Sequence, residues 1–181
     1  TAGVLIGKKM DKAKAAAEQV ANAQVESVTD ANGYQAVKVT FDSGILFATG
    51  KSALSATAQS SLSSFANNVL KPNTDMNVGI VGYTDNAGWK NSTAEQSAQK
   101  NQQLSEQRAQ AVSNYLKSLG ITNAQIKEVA GLGESNPVAA NAFINFILIF
   151  SPPDKSDVFS PICYTVCIMI ERNTGLAKLA V

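Results

Sequence analysis

Between Leu54 and Val69 apolar residues return about every 3.6 positions, with Leu62, Phe65, Ala66, Val69 and Leu70 on one stripe, which predicts an amphipathic helix. Leu54 and Ser55 offer a hydrophobic staple and a cap, and Pro72 stands where the helix should stop. Elsewhere the period is two. Val37, Val39 and Phe41 alternate with polar residues, and the runs Val25 to Thr29 and Tyr34 to Phe41 flank Asp30-Ala31-Asn32-Gly33. That pattern predicts a β-hairpin, because Asn32-Gly33 adopts the positive φ angles of a tight turn. Met76 to Tyr83 is almost continuously apolar, as in a strand covered within a sheet. A longer helical pattern runs from Asn91-Ser92-Thr93 through Leu104, Val112, Tyr115 and Leu116 to Gly120, with Ser92 and Glu95 at capping-box spacing. Ile126 to Leu132 reads as a further strand, and Gly131 to Pro137 is dense in turn formers.

This order predicts an α/β (α+β) sandwich, a mixed sheet with helices on one face. The hairpin and sandwich occupy residues 25–141. Residues 1–24 form an Ala/Lys-rich lead-in, helical or mobile. Its apolar positions Ala15, Ala16 and Val20 bury little area, so weak docking or disorder is expected rather than a share in the core. From residue 142 the character changes. Ala142 to Phe150 and Ile162 to Ile170 are apolar and β-prone, separated by Ser151-Pro152-Pro153-Asp154-Lys155. Either run can supply a final strand, and Tyr164 to Ile170 is favoured. The other then covers a face or pairs between molecules, giving a homo-oligomer, because an exposed apolar edge invites association.

Composition narrows the chemistry. With 181 residues, 45% of them hydrophobic, the chain has material for one domain with a core. Fifteen Lys plus Arg against fourteen Asp plus Glu leave a net charge of +1, too little for the positive field that nucleic-acid binding uses. Histidine is absent, and with it every Ser-His, Cys-His and His-zinc arrangement. Ser43, Ser105 and Glu134 lack an activating partner, so no enzyme, metal or cofactor is expected. Cys163 and Cys167 are spaced C-x3-C, roughly 13 Å apart in a strand at about 3.3 Å per residue, too far for a disulfide, and read as small buried hydrophobes. No apolar run reaches the ~20 residues that cross a bilayer. Thr1 opens the chain without methionine or signal peptide, as expected of a processed form or a fragment.

The sharpest constellation is Gly82-Tyr83-Thr84-Asp85 at the end of a buried strand, followed by Asn101, Leu104 and Arg108 on a helix. Asp85 stands at the strand's carboxyl end, where α/β sheets commonly place ligands. Arg108 lies four residues from both Leu104 and Val112, on the inward side of its helix, where an unpaired guanidinium costs several kcal/mol. Asn101, two turns earlier on the same side, adds an amide. Two readings are open: Asp85 and Arg108 clamp helix to strand as a structural ion pair, or they face a shared groove and read a zwitterion. In the second, Asp85 holds an ammonium and Arg108 grips a carboxylate with forked hydrogen bonds.

These residues resemble the OmpA-like peptidoglycan-binding domain of bacterial envelope proteins. The resemblance runs from about Val39 to Asn141. It takes in Val39 to Phe47, Gly82-Tyr83-Thr84-Asp85, the pattern Asn101, Leu104-Ser105, Arg108-Ala109 and Val112, and Gly131 to Val138 with Asn141. It implies a βαβαβ fold that grips the diaminopimelate of the peptide stem, with contacts from Asp85 and Arg108 and with Thr84, Asn101 and Leu104 beside them. It also implies a noncatalytic module of the bacterial periplasm, tethering the outer membrane or a periplasmic assembly to the cell wall, with a lipid-anchored region ahead of the lead-in. The rival reading is a self-associating envelope scaffold with a vestigial pocket. Two departures stand out. Trp89 to Lys100 contains an apparent insertion of about two helical turns, in which Trp89 packs or shields the groove. The apolar segment after Asn141 replaces the family's polar stretch and Asn-Arg-Arg-Val-Glu strand.

Overall fold

The computed structural model describes residues 2–29, 35–135 and 145–151. Helix α1 (Ala2–Glu18) leads into a hairpin of β1 (Ala23–Thr29) and β2 (Gln35–Asp42). A helical turn α2 (Ser43–Leu46), helix α3 (Ala56–Phe65), strand β3 (Asn77–Gly82), helix α4 (Ala94–Ser118), strand β4 (Ile126–Gly131) and strand β5 (Asn145–Ser151) follow. The sheet order is β1-β2-β5-β3-β4. Only β3 and β4 are parallel, as their crossover through α4 requires; the other neighbours are antiparallel. The sheet is mixed, and the expected α+β sandwich is the fold observed.

One core joins the helices to one face of this sheet. Val37, Val39 and Phe41 of β2 and Val78 and Ile80 of β3 meet Leu62, Phe65, Val69 and Leu70 on one side and Ala109, Val112 and Leu116 of α4 on the other. Phe41 and Phe65 pack edge to face with centroids 6.4 Å apart. The opposite face carries Lys38, buried and paired at 2.8 Å with its cross-strand partner Glu26.

Three expectations are corrected here. The lead-in is part of the core: Met10, Ala13, Ala17 and Val20 are buried on one side of α1 and the turn after it, whereas Ala15 is exposed. Alanine buries little area, but its small side chain lets the helix backbone approach closely. Helix α4 starts one residue later than its Ser92/Glu95 spacing suggests. Thr93 Oγ1 accepts from Gln96 N while Gln96 Oε1 accepts from Thr93 N. Ser92 instead accepts a hydrogen bond from Lys100 Nζ at 2.8 Å. Finally, the place between β2 and β3 is filled by Asn145–Ser151, the less favoured of the two apolar runs. A strand with partners on both sides calls for an uninterrupted apolar run, which Phe146 to Phe150 supplies. Tyr164 to Ile170, Cys163 and Cys167 lie outside the described residues, as do the hairpin turn and Asn136 to Asn141.

The Ser55 cap is as expected, its Oγ accepting from Ala58 N at 2.9 Å. Past Phe65 the helix widens to a π turn (Ala66–Leu70) and tightens to a 3₁₀ turn (Lys71–Asn73), so Pro72 sits where its missing N–H costs nothing. Replacing Thr93 by Ala removes one half of the α4 capping box and should cost about 1 kcal/mol, read as a shifted urea midpoint with unchanged slope.

Candidate functional site

Three glycines seat α4 against the carboxyl ends of β3 and β4. A Cβ on Gly82 would stand 2.6 Å from Ser105 O, one on Gly131 2.2 Å from Glu106 N, and one on Gly133 2.9 Å from Gln102 Oε1. Ser105, fully buried, adds a polar tie: its Oγ donates to Gln102 O and accepts from Gly133 N. This close seating carries Asn101, Leu104 and Arg108 to the rim of β3, where the chain turns outward through Thr84 and Asp85.

A groove of about 250 Å³ lies there, lined by Thr49 and Gly50 from one loop, Thr84 to Lys90 in part from another, and Asn101, Leu104 and Arg108 from α4. All five residues expected at the site therefore line one hollow, and they have different roles. Arg108 is 2% exposed. Its Nε donates to Lys51 O at 3.0 Å and its Nη2 to Ala48 O at 3.4 Å, while the guanidinium lies over the Phe47 ring, 5.0 Å from the centroid. Burial pulls its pKa below the usual arginine value, and the nearby Asp85 charge opposes that shift.

Asp85 is exposed, and among the described residues its side chain makes no ion pair; it accepts only a long bond from Ala87 N at 3.4 Å. The clamp reading of Asp85 with Arg108 is thus not what the structure contains. Thr84 is 3% exposed, and its Oγ1 has no hydrogen-bond partner among the described residues. A buried hydroxyl left unbonded costs about 1–3 kcal/mol, a cost that a ligand in the groove would relieve.

Asn101, 3% exposed, is committed within the protein. Its Nδ2 donates to Asp85 O, Ala87 O and Glu134 Oε2 at 3.1–3.3 Å, and its Oδ1 accepts from Trp89 Nε1 at 2.7 Å. It positions the 84–90 loop. Leu104, 8% exposed, supplies an apolar wall. The insertion residue Trp89 both packs and lines the groove: Nε1 is held by Asn101, and its six-membered ring faces Gly50, where an added Cβ would stand 3.5 Å from it and where φ is +66°. Gly50, Thr49 and Lys90 were not singled out in the sequence. The one available signal was a glycine standing between polar residues just after the apolar Ile45 to Ala48.

The model of the OmpA family matches residues 46–145. Outer membrane protein A of Serratia marcescens is 39% identical over 106 residues, 58% of this chain but 27% of that protein. Its counterpart in Klebsiella pneumoniae is 46% identical over 66 residues, covering 36% of this chain and 17% of that one. The chain thus corresponds to about a quarter or less of these relatives. Among solved structures, the OmpA-like domain of FopA1 from Francisella tularensis is 25% identical with a TM-score of 0.52, covering 72% of this chain and 82% of that one. A putative MotB-like protein from Desulfovibrio vulgaris, 19% identical, shares the fold with a TM-score of 0.66 over 82% of this chain and 95% of its own.

Proposed function

This chain belongs to the OmpA family, and on that premise we propose that it is a noncatalytic peptidoglycan-binding module whose groove takes the free amino-acid end of diaminopimelate in the stem peptide. The observation that carries the reading is the separation of Asp85 from Arg108: both line one groove, yet the acid is not spent on the base. A ligand end bearing an ammonium and a carboxylate complements them, with the Thr84 hydroxyl as a further partner and Leu104 beside the aliphatic chain. Charge-assisted hydrogen bonds contribute about 1.5–3 kcal/mol each, so two or three support roughly millimolar to micromolar affinity. That range suits attachment to a polymer that repeats the same site many times.

Such a module acts in the bacterial periplasm and tethers the outer membrane, or an assembly associated with it, to the cell wall. No helix among the described residues is long and apolar enough to cross a membrane. Co-sedimentation of the purified chain with insoluble peptidoglycan containing diaminopimelate tests the reading. Saturable retention, competed by free diaminopimelate, is expected. A folded chain that stays in the supernatant at every wall concentration would refute it.

A further inference from the structure

The groove holds more positive than negative charge. Its lining includes Asp85, Arg108 and Lys90, and a zwitterionic ligand end uses one acid and one base. Lys90 remains. Among the described residues its ammonium has no hydrogen-bond or ion-pair partner, and its side chain is exposed at the rim. Glu134, whose Oε2 accepts from Asn101 Nδ2 at 3.1 Å, is not among the residues that line the groove.

The backbone presents Lys90 in a defined way. Ser92 N donates to Trp89 O at 3.2 Å, closing a four-residue turn in which Lys90 is the second residue and Asn91 the third. Asn91 takes φ +57°, a left-handed conformation that asparagine tolerates at that place in a turn. Trp89 fixes the first corner two ways: its N donates to Ser97 Oγ at 3.0 Å and its Nε1 donates to Asn101 Oδ1 at 2.7 Å. Lys100 adds a second cation behind the turn, bonded to Ser92 Oγ and 5.8 Å from the centroid of the Trp89 ring. The turn therefore holds Lys90 at the groove beside Trp89, whose indole is fixed by its own hydrogen bond, with Lys100 as a second cation on that side.

We propose that Lys90 and the Trp89 turn form a second, anion-selecting subsite, which takes the other carboxylate of the diamino acid whose zwitterionic end sits between Asp85 and Arg108. This rests on the function proposed above and narrows it to a ligand with two carboxylates and one free ammonium. Lys90 is a specificity-determining residue, and the chain discriminates between stems that keep the second carboxylate free and stems in which it is converted to an amide.

Two synthetic tripeptide stems ending in diaminopimelate test this. They differ only at the carboxyl on the carbon whose amine is in the peptide bond, free in one and a primary amide in the other. Calorimetric titration of the full chain should give about fivefold tighter binding of the free acid, the scale of one exposed ion pair, and the advantage should shrink with added salt. Lys90→Met, a change on an exposed turn, should bring the free acid to the affinity of the amide while leaving the amide unaffected. Equal affinity of the two peptides for the parent chain overturns the subsite and leaves the wall-binding reading standing. Failure of both peptides to bind a folded chain overturns both. A loss of affinity for both peptides in Lys90→Met would assign Lys90 to the general field of the groove and also overturns the proposal.

Discussion

Arg108→Met is expected to abolish retention on peptidoglycan and to lower stability at the same time. In the proposed function the guanidinium is the anion-binding end of the groove, and it also ties α4 to the loop after Phe47. Methionine keeps the apolar stem over Phe47 but takes the side-chain donor from Lys51 O and leaves Ala48 O with the Lys51 N–H alone. Loss of these bonds from a buried charged donor should cost about 2–3 kcal/mol. For a chain of this size that is a fall of roughly 5–10 °C in Tm. Arg108→Lys separates the two roles. Lysine retains the charge, but a single ammonium does not reproduce the planar fork that reaches two carbonyls and a carboxylate together. Stability should recover in part while binding remains weak. Thermal melts read beside co-sedimentation check both, and Arg108→Met retained on the wall as well as the parent would remove Arg108 from the site.

Gly131→Ala should produce the largest loss of stability of any single methyl addition near the site. The new Cβ would fall 2.2 Å from Glu106 N and 2.4 Å from Ser105 Oγ. The first of these atoms is helix backbone, which has no rotamer through which to yield. Helix α4 must move away from β4 or the strand must bend, and overpacking of this kind costs about 1–3 kcal/mol or more. Because Asn101, Leu104 and Arg108 ride on the same helix, ligand affinity should fall with stability. Gly7→Ala is the control: its Cβ meets nothing within 4 Å, and α1 gains a better helix former. Equal melting temperatures for Gly131→Ala and the parent would mean that α4 does not depend on this close approach.

The elements legible in the sequence were those whose own side chains carry the pattern. The alternation of Val37, Val39 and Phe41 and the continuous apolar run through β3 marked strands. The i±4 relation of Arg108 to Leu104 and Val112 placed a charge on the buried side of α4. What satisfies that charge was not legible, because its partners are the backbone carbonyls of Ala48 and Lys51, which leave no mark on residue identity. For the same reason Asn101 looked available for a ligand, whereas its amide holds the carbonyls of the loop that presents Asp85. Helix α1 was underestimated because alanine's contribution depends on how closely a neighbour approaches, which periodicity does not encode. The two apolar runs after Asn141 looked alike as strands. The choice between them is made by cross-strand partners, Val39 with Leu148 on one side and Ile80 with Leu148 on the other.

The most direct test of the central claim is calorimetric titration of free diaminopimelate into the intact chain and into Asp85→Asn. That substitution keeps the side chain's size and its exposed position while removing the charge. The account predicts saturable binding by the parent and at least a tenfold weaker response from the variant, the loss of about 1.4 kcal/mol of ammonium recognition. Identical isotherms for the two chains, with both folded, would contradict it.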